Sequence, residues 1–237
     1  MASERAAAAG VLRRPRLVIF DFDGVIADSE TIALEELAAE MTARGAETSY
    51  EQARALFLGM STARHMAYIS EKSGRPCAPD FPDVWHGRLF SRYSTELVAV
   101  TGVHRTLNLL DRLGIDYCIA SGGSVERIRF ALDCLGLASR FEGRAFSAEM
   151  VARGKPAPDL FLHAAAARST SPHECLVVED APSGVMAAVA AEMPCAAFLG
   201  GSHLDPIRTR HRETLIQAGA TACVGDHAEL QVMIEAR

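Results

Sequence analysis

The sequence predicts an α/β protein: a doubly wound parallel sheet with a small all-helical domain inserted after the first strand. Three observations predict it. Leu17 to Phe20 is a continuous apolar run that stops at an acid, Asp21, as a strand buried on both faces does at its carboxyl end. From Gly102 onward, short apolar runs alternate with helical stretches, the rhythm of a parallel sheet covered by helices on both faces. Between these parts, nothing from Thr31 to Val98 reads as a strand.

The first strand leads through DFDGVIADSE into a helix expected over Glu30 to Arg44, with Ile32, Leu34, Leu37, Ala38 and Met41 as its apolar positions. Ser29 is placed to cap it and Gly45 to end it. Ser49, with Gln52 three residues on, forms a capping box for a helix to about Leu58, and Gly59 breaks that helix. Ser61 is expected to cap the next, which ends near Gly74. A turn-rich PCAPDFPD segment precedes a helix over Asp83 to Val98. In the second part, helices are expected over Val103 to Leu113, Val125 to Leu135, Pro158 to Arg168 and Ser183 to Glu192. Strands are expected over Ile115 to Ala120, Ala145 to Ser147, Cys175 to Val178, Cys195 to Leu199 and Ala222 to Val224, with a last helix beyond. The expected organisation is a disordered N-terminal tail at 1–15, an α/β core built from 16–30 and 99–237, and a helical cap at 31–98.

A chain of 237 residues with 49% hydrophobic residues has material for a packed core. A net charge of −6 argues against a nucleic-acid surface, which is normally basic. No apolar run is long enough to span a membrane. The six cysteines form no CxxC pair, which suits a reducing, cytoplasmic compartment and offers no zinc site. The sequence is silent on oligomeric state; a monomer is consistent with it.

Candidate chemistry gathers where predicted strands end. Asp21 and Asp23 crowd two carboxylates at the first such end, an arrangement that calls for a divalent cation with oxygen ligands. Ser121 and Gly122 open a Gly-rich turn into a helix, where backbone N–H groups can hold phosphate oxygens. Lys155, beside Pro156, can set a positive charge on such an anion. Glu179 and Asp180 end an apolar strand. Taken singly, each has an ordinary reading: a helix start, a solvated lysine, a pair of helix-capping acids.

Taken in order, DFDGVIADSE, IASGG, GKPAPD and VVEDAPSG resemble the motifs of the haloacid dehalogenase superfamily, in its group of phosphatases and phosphomutases with a helical cap after the first strand. The resemblance covers about Arg16 to Glu229. It implies that Asp21 is a nucleophile forming an aspartyl phosphate and that Asp23 is the general acid and then base. It implies Mg²⁺ held by the Asp21 carboxylate, the Asp23 main-chain oxygen and Asp180, with Glu179 nearby, and a phosphoryl group neutralised by Ser121 and Lys155. Dehalogenases of this fold lack the second acid, so Asp23 points to phosphoryl transfer. Phosphomutase relatives carry a His five residues past their counterpart of Asp28, where this chain has Ala33; that favours hydrolysis, with a mutase as runner-up. A catalytically silent binding protein would be expected to have lost one of these acids or Lys155, and none is lost. The cap is expected to contact the substrate through Gly59, through Arg64 or His65, and through Glu30. The resemblance is nearest to phosphatases of small sugar phosphates, 6-phosphogluconate among them.

Overall fold

The computed structural model describes residues 14–236. The tail expected at 1–15 lies outside the described residues except for Arg14 and Pro15. The sheet has six parallel strands, β1 (Leu17–Phe20), β2 (Asp116–Ser121), β3 (Ala145–Ser147), β4 (Cys175–Glu179), β5 (Cys195–Phe198) and β6 (Ala222–Val224), in the order β3-β2-β1-β4-β5-β6. The chain winds outward from β1 first through β2 and β3, then in the other direction through β4, β5 and β6. β1 is therefore at the point where the strand order reverses, the usual ligand position of an open parallel sheet.

Period-2 alternation sorts the strand residues onto two covered faces. Val18, Phe20, Ile119, Leu176, Val178 and Phe198 face α5 (Val103–Leu113), α6 (Val125–Cys134) and α10 (His227–Glu235). Leu17, Ile19, Cys118, Val177, Cys195 and Ala197 face α7 (Asp159–Ala167), α8 (Pro182–Ala190) and α9 (Arg208–Gln217). Both faces are dry, which is why these strands read as unbroken apolar runs.

Between β1 and α5 the chain makes four helices: α1 (Glu30–Ala43), α2 (Tyr50–Phe57), α3 (Thr62–Ser73) and α4 (Phe81–Glu96). α1 packs against α2 and α4, and α4 rests on α6. The capping box at Ser49 and Gln52 is present at the start of α2. Ser29 does not cap α1; its hydroxyl donates instead to Asp23. Ser61 also precedes its helix without a side-chain cap. α4 starts two residues before the expected Asp83 and ends before Val98, because Phe81 is buried against Trp85 and belongs to the helix. α9 was not expected: among its residues only His211 and Leu215 turn inward, and the outer positions are polar except Ile216.

Candidate active site

Register brings the site together. Phe20 pairs with Ile119 on one side and Val178 on the other, so Asp21, one residue on, comes level with Ala120 and Glu179. The Lys155 ammonium reaches this edge from the loop after β3. It donates to Asp21 Oδ1 at 2.6 Å, to Glu179 Oε1 at 2.6 Å and to the Ala120 carbonyl at 2.9 Å. Glu179 Oε2 accepts the Ala181 N–H at 2.8 Å, which fixes that carboxylate ahead of α8.

Asp180 comes next. Carboxylate oxygens of Asp21, Glu179 and Asp180 lie within 4.8 Å of one another, and all three residues are buried. Asp180 Oδ2 has no hydrogen-bond partner. Its main-chain oxygen accepts from His211 Nε2 at 2.6 Å, and the buried His203 packs 3.4 Å from Oδ2. Gly24 makes room for it: φ is +76°, and a Cβ there would lie 1.9 Å from Asp180 Oδ2.

The electrostatics match the crowding. Burial pushes the Asp21 carboxyl up to about 7; Lys155 opposes the rise, while Glu179 and Asp23 add to it. Asp180 is raised well above the carboxylate range by burial and by the charges of Asp21 and Glu179. Burial works against the charge on Lys155, but Asp21 and Glu179 outweigh it and hold the ammonium above its ordinary range. A partnerless buried carboxylate oxygen among three such acids fits a hard cation with oxygen ligands. Asp21, Glu179 and Asp180 are the residues that could hold one.

Asp23 joins Asp21, Glu179 and Asp180 in lining a cleft of about 520 Å³ between the sheet edge and the helices α1 to α4. Its Oδ1 accepts the Ser29 hydroxyl at 2.6 Å and its Oδ2 accepts from Arg127 of α6. Glu30, Gly59, Gly122 and Lys155 also line the cleft. Ser121 is buried beneath it, its hydroxyl accepting the Gly123 N–H at 3.0 Å, so Ser121 shapes the turn while Gly122 and Gly123 form the surface. Arg64 is exposed and is not among the lining residues. Its neighbour His65 is buried and is. α3 buries His65 and Ile69, one turn apart, and that register turns Arg64 to solvent. Sequence reasoning missed Arg127. The signal was a cation in the first turn of a helix, where the macrodipole disfavours it. His203 and His211 were missed as well, both in the stretch after β5 to which no element was assigned.

Residues 15–192 match the family model of haloacid dehalogenase-like hydrolases. The chain is 33% identical over 178 residues to hexitol phosphatase A of Escherichia coli K12, covering 73% of this chain and 78% of that one. It is 25% identical over 197 residues to 6-phosphogluconate phosphatase of the same organism, covering 83% and 88%. The crystal structure of a haloacid dehalogenase-like protein of unknown function from Agrobacterium tumefaciens superposes with a TM-score of 0.78 at 33% identity, covering 93% of this chain and 98% of that one. With the sheet, its reversal point and the four motif segments at one edge, the chain belongs to the haloacid dehalogenase-like hydrolases.

Proposed function

We propose that the protein is a Mg²⁺-dependent phosphatase of a small phosphorylated metabolite, a sugar phosphate or its acid, acting through an aspartyl phosphate. The observation that carries this reading is the joint placement of Asp21, Asp23, Lys155 and Asp180 on one cleft at the edge of the sheet. An Asp21 oxygen attacks phosphorus, and the bond from phosphorus to the leaving oxygen breaks while Asp23 gives that oxygen its proton. Asp23, now a carboxylate, takes a proton from water, which attacks phosphorus and breaks its bond to Asp21, releasing phosphate. Lys155 sits on the nucleophile and offsets the charge of the incoming phosphoryl oxygens. Asp21, Asp180 and the Asp23 main-chain oxygen would hold Mg²⁺, which would supply further positive charge against the repulsion between carboxylate and phosphate.

Several features support hydrolysis over mutase chemistry and a soluble metabolite over other partners. Ala33 lines the cleft where mutase relatives have a histidine. No described helix is long and apolar enough to cross a membrane. All six cysteines are free, which suits a reducing, cytoplasmic compartment. Residues 31–98 act in this reading as the cap, with Gly59 and Glu30 presented to the substrate. The test is hydrolysis of p-nitrophenyl phosphate with and without Mg²⁺. Asp21→Asn should lower kcat by about a thousandfold or more, as expected when the attacking group is lost. A parental rate in that variant would overturn the nucleophile assignment.

A further inference from the structure

Among the described residues, two side chains of permanent positive charge line the cleft, Lys155 and Arg127. Lys155 is occupied at the floor by Asp21, Glu179 and the Ala120 carbonyl. Arg127 is the third residue of α6, and its side chain is only 12% exposed. Asp23 is the one side chain to which it hydrogen-bonds among the described residues. Gly123 leaves the guanidinium its place, since a Cβ there would lie 2.6 Å from Arg127 Nη2. A guanidinium carries five N–H donors in a planar fork suited to an oxyanion, and one protein oxygen does not use them up.

The wall near Arg127 has further unused polar atoms. His65 and Trp85 line the cleft, and both ring nitrogens of His65 and the Trp85 indole nitrogen are buried without a hydrogen-bond partner. A ligand acceptor can pair with the indole N–H and with the one N–H of a neutral imidazole. Arg127 sits on Asp23, beside which the leaving alcohol must emerge if Asp23 protonates it.

We propose that Arg127 recognises a second oxyanion on the leaving group, a carboxylate or a second phosphate, so that the preferred substrate is the phosphoester of an acidic alcohol. This rests on the phosphatase reading above and narrows its substrate class. Binding that oxyanion draws the guanidinium from Asp23 Oδ2. While Oδ2 accepts from Arg127 it cannot present a proton to the leaving oxygen; once released, it can. A correct substrate thus prepares its own acid catalyst, and a neutral one leaves Asp23 clamped.

The experiment compares matched substrates differing only in the acid: 6-phosphogluconate with glucitol 6-phosphate, and 2-phosphoglycolate with 2-hydroxyethyl phosphate, in Mg²⁺. Glucose 1,6-bisphosphate against glucose 6-phosphate distinguishes a second phosphate from a carboxylate. The wild-type protein should favour the more anionic member of at least one pair by about tenfold or more in kcat/KM. Arg127→Gln should slow the anionic member by about thirtyfold, chiefly through KM, and leave the neutral member as fast or faster because Asp23 is no longer clamped, with Arg127→Lys between. Wild-type turnover without preference in any pair overturns the proposal whether or not the variants fold. Equal losses on both members in a folded Arg127→Gln protein overturn it too, because Arg127 then only braces Asp23. Absence of phosphate release from every substrate, with Asp21→Asn indistinguishable from wild type, would instead overturn the phosphatase reading beneath it.

Discussion

Glu30 begins α1 at the mouth of the cleft, where burial first and the Asp23 charge second push its carboxyl up to about 8. An unfolded glutamate ionises near 4.5. Between these values the folded protein holds a proton that the unfolded chain has lost. Stability linked to Glu30 is therefore complete below about 4.5 and is lost as pH rises through 8, at no more than about 1.4 kcal/mol per pH unit. Glu30→Gln removes this slope. In EDTA, the Tm of Glu30→Gln relative to wild type should rise steadily from pH 5 to pH 8, by several degrees in all, taking about 2–4 °C per kcal/mol for a chain of this size. A difference that did not change with pH would show Glu30 to be an ordinary ionised surface acid. The sequence offered the same residue as a helix-start acid following Ser29 and as a cap contact to substrate, and it does line the cleft. That Ser29 would leave the helix uncapped and turn to Asp23 depended on a tertiary contact, and no local pattern encodes it.

Elements hold the acidic loop after β1 from behind. α10 brings His227, fully buried, to the Val25 carbonyl, with Nε2 at 2.9 Å and Nδ1 3.1 Å from the Thr106 hydroxyl of α5. A carbonyl accepts, so Nε2 carries the proton; burial keeps the ring neutral, with its pKa lowered to about 4. One helix near the C-terminus thereby fastens the turn that carries Asp23 and Gly24. His227→Ala should cost about 2–4 kcal/mol through the cavity and the unpaired carbonyl. His227→Gln, which keeps a donor, should recover part of that; a loss under 1 kcal/mol in the alanine variant, measured by urea unfolding, would remove α10 from this role. Such long-range ties mark the limit of legibility. Strands β1, β4 and β5 were readable because burial on both faces makes them near-continuous apolar runs, β2 from its buried centre Tyr117 to Ala120, and α2 because Ser49 and Gln52 are a local signal. α9 was not, since only His211 and Leu215 face inward and its remaining positions are polar except the exposed Ile216. The acids and Lys155 were legible because each stands where a strand or stiffened turn ends. Arg127 was not, because its partner Asp23 is 104 residues away and a lone arginine in a helix reads as a solvated one.

The whole molecule is arranged around repulsion that its fold imposes. Parallel strands place their carboxyl ends on one edge, and the order reversal at β1 brings Asp21, Glu179 and Asp180 into one buried group. Lys155 offsets part of that charge; Asp180, with Oδ2 unpartnered and its carboxyl forced upward, shows that a remainder is left. A ligand that binds only the folded state stabilises it by mass action, by about 2.7 kcal/mol at a hundred times its Kd. Saturating Mg²⁺ should accordingly raise Tm over the EDTA-treated protein by about 5–10 °C. Asp180→Asn separates this from a general salt effect, because it removes one member of the repelling group and one cation ligand together. The metal-free variant should melt at or above the metal-free parent, and its Mg²⁺-dependent rise should fall to a degree or two. Should the variant keep the full Mg²⁺ shift, the cation is bound elsewhere, and the acids at the end of β4 serve only to position Lys155 and α8.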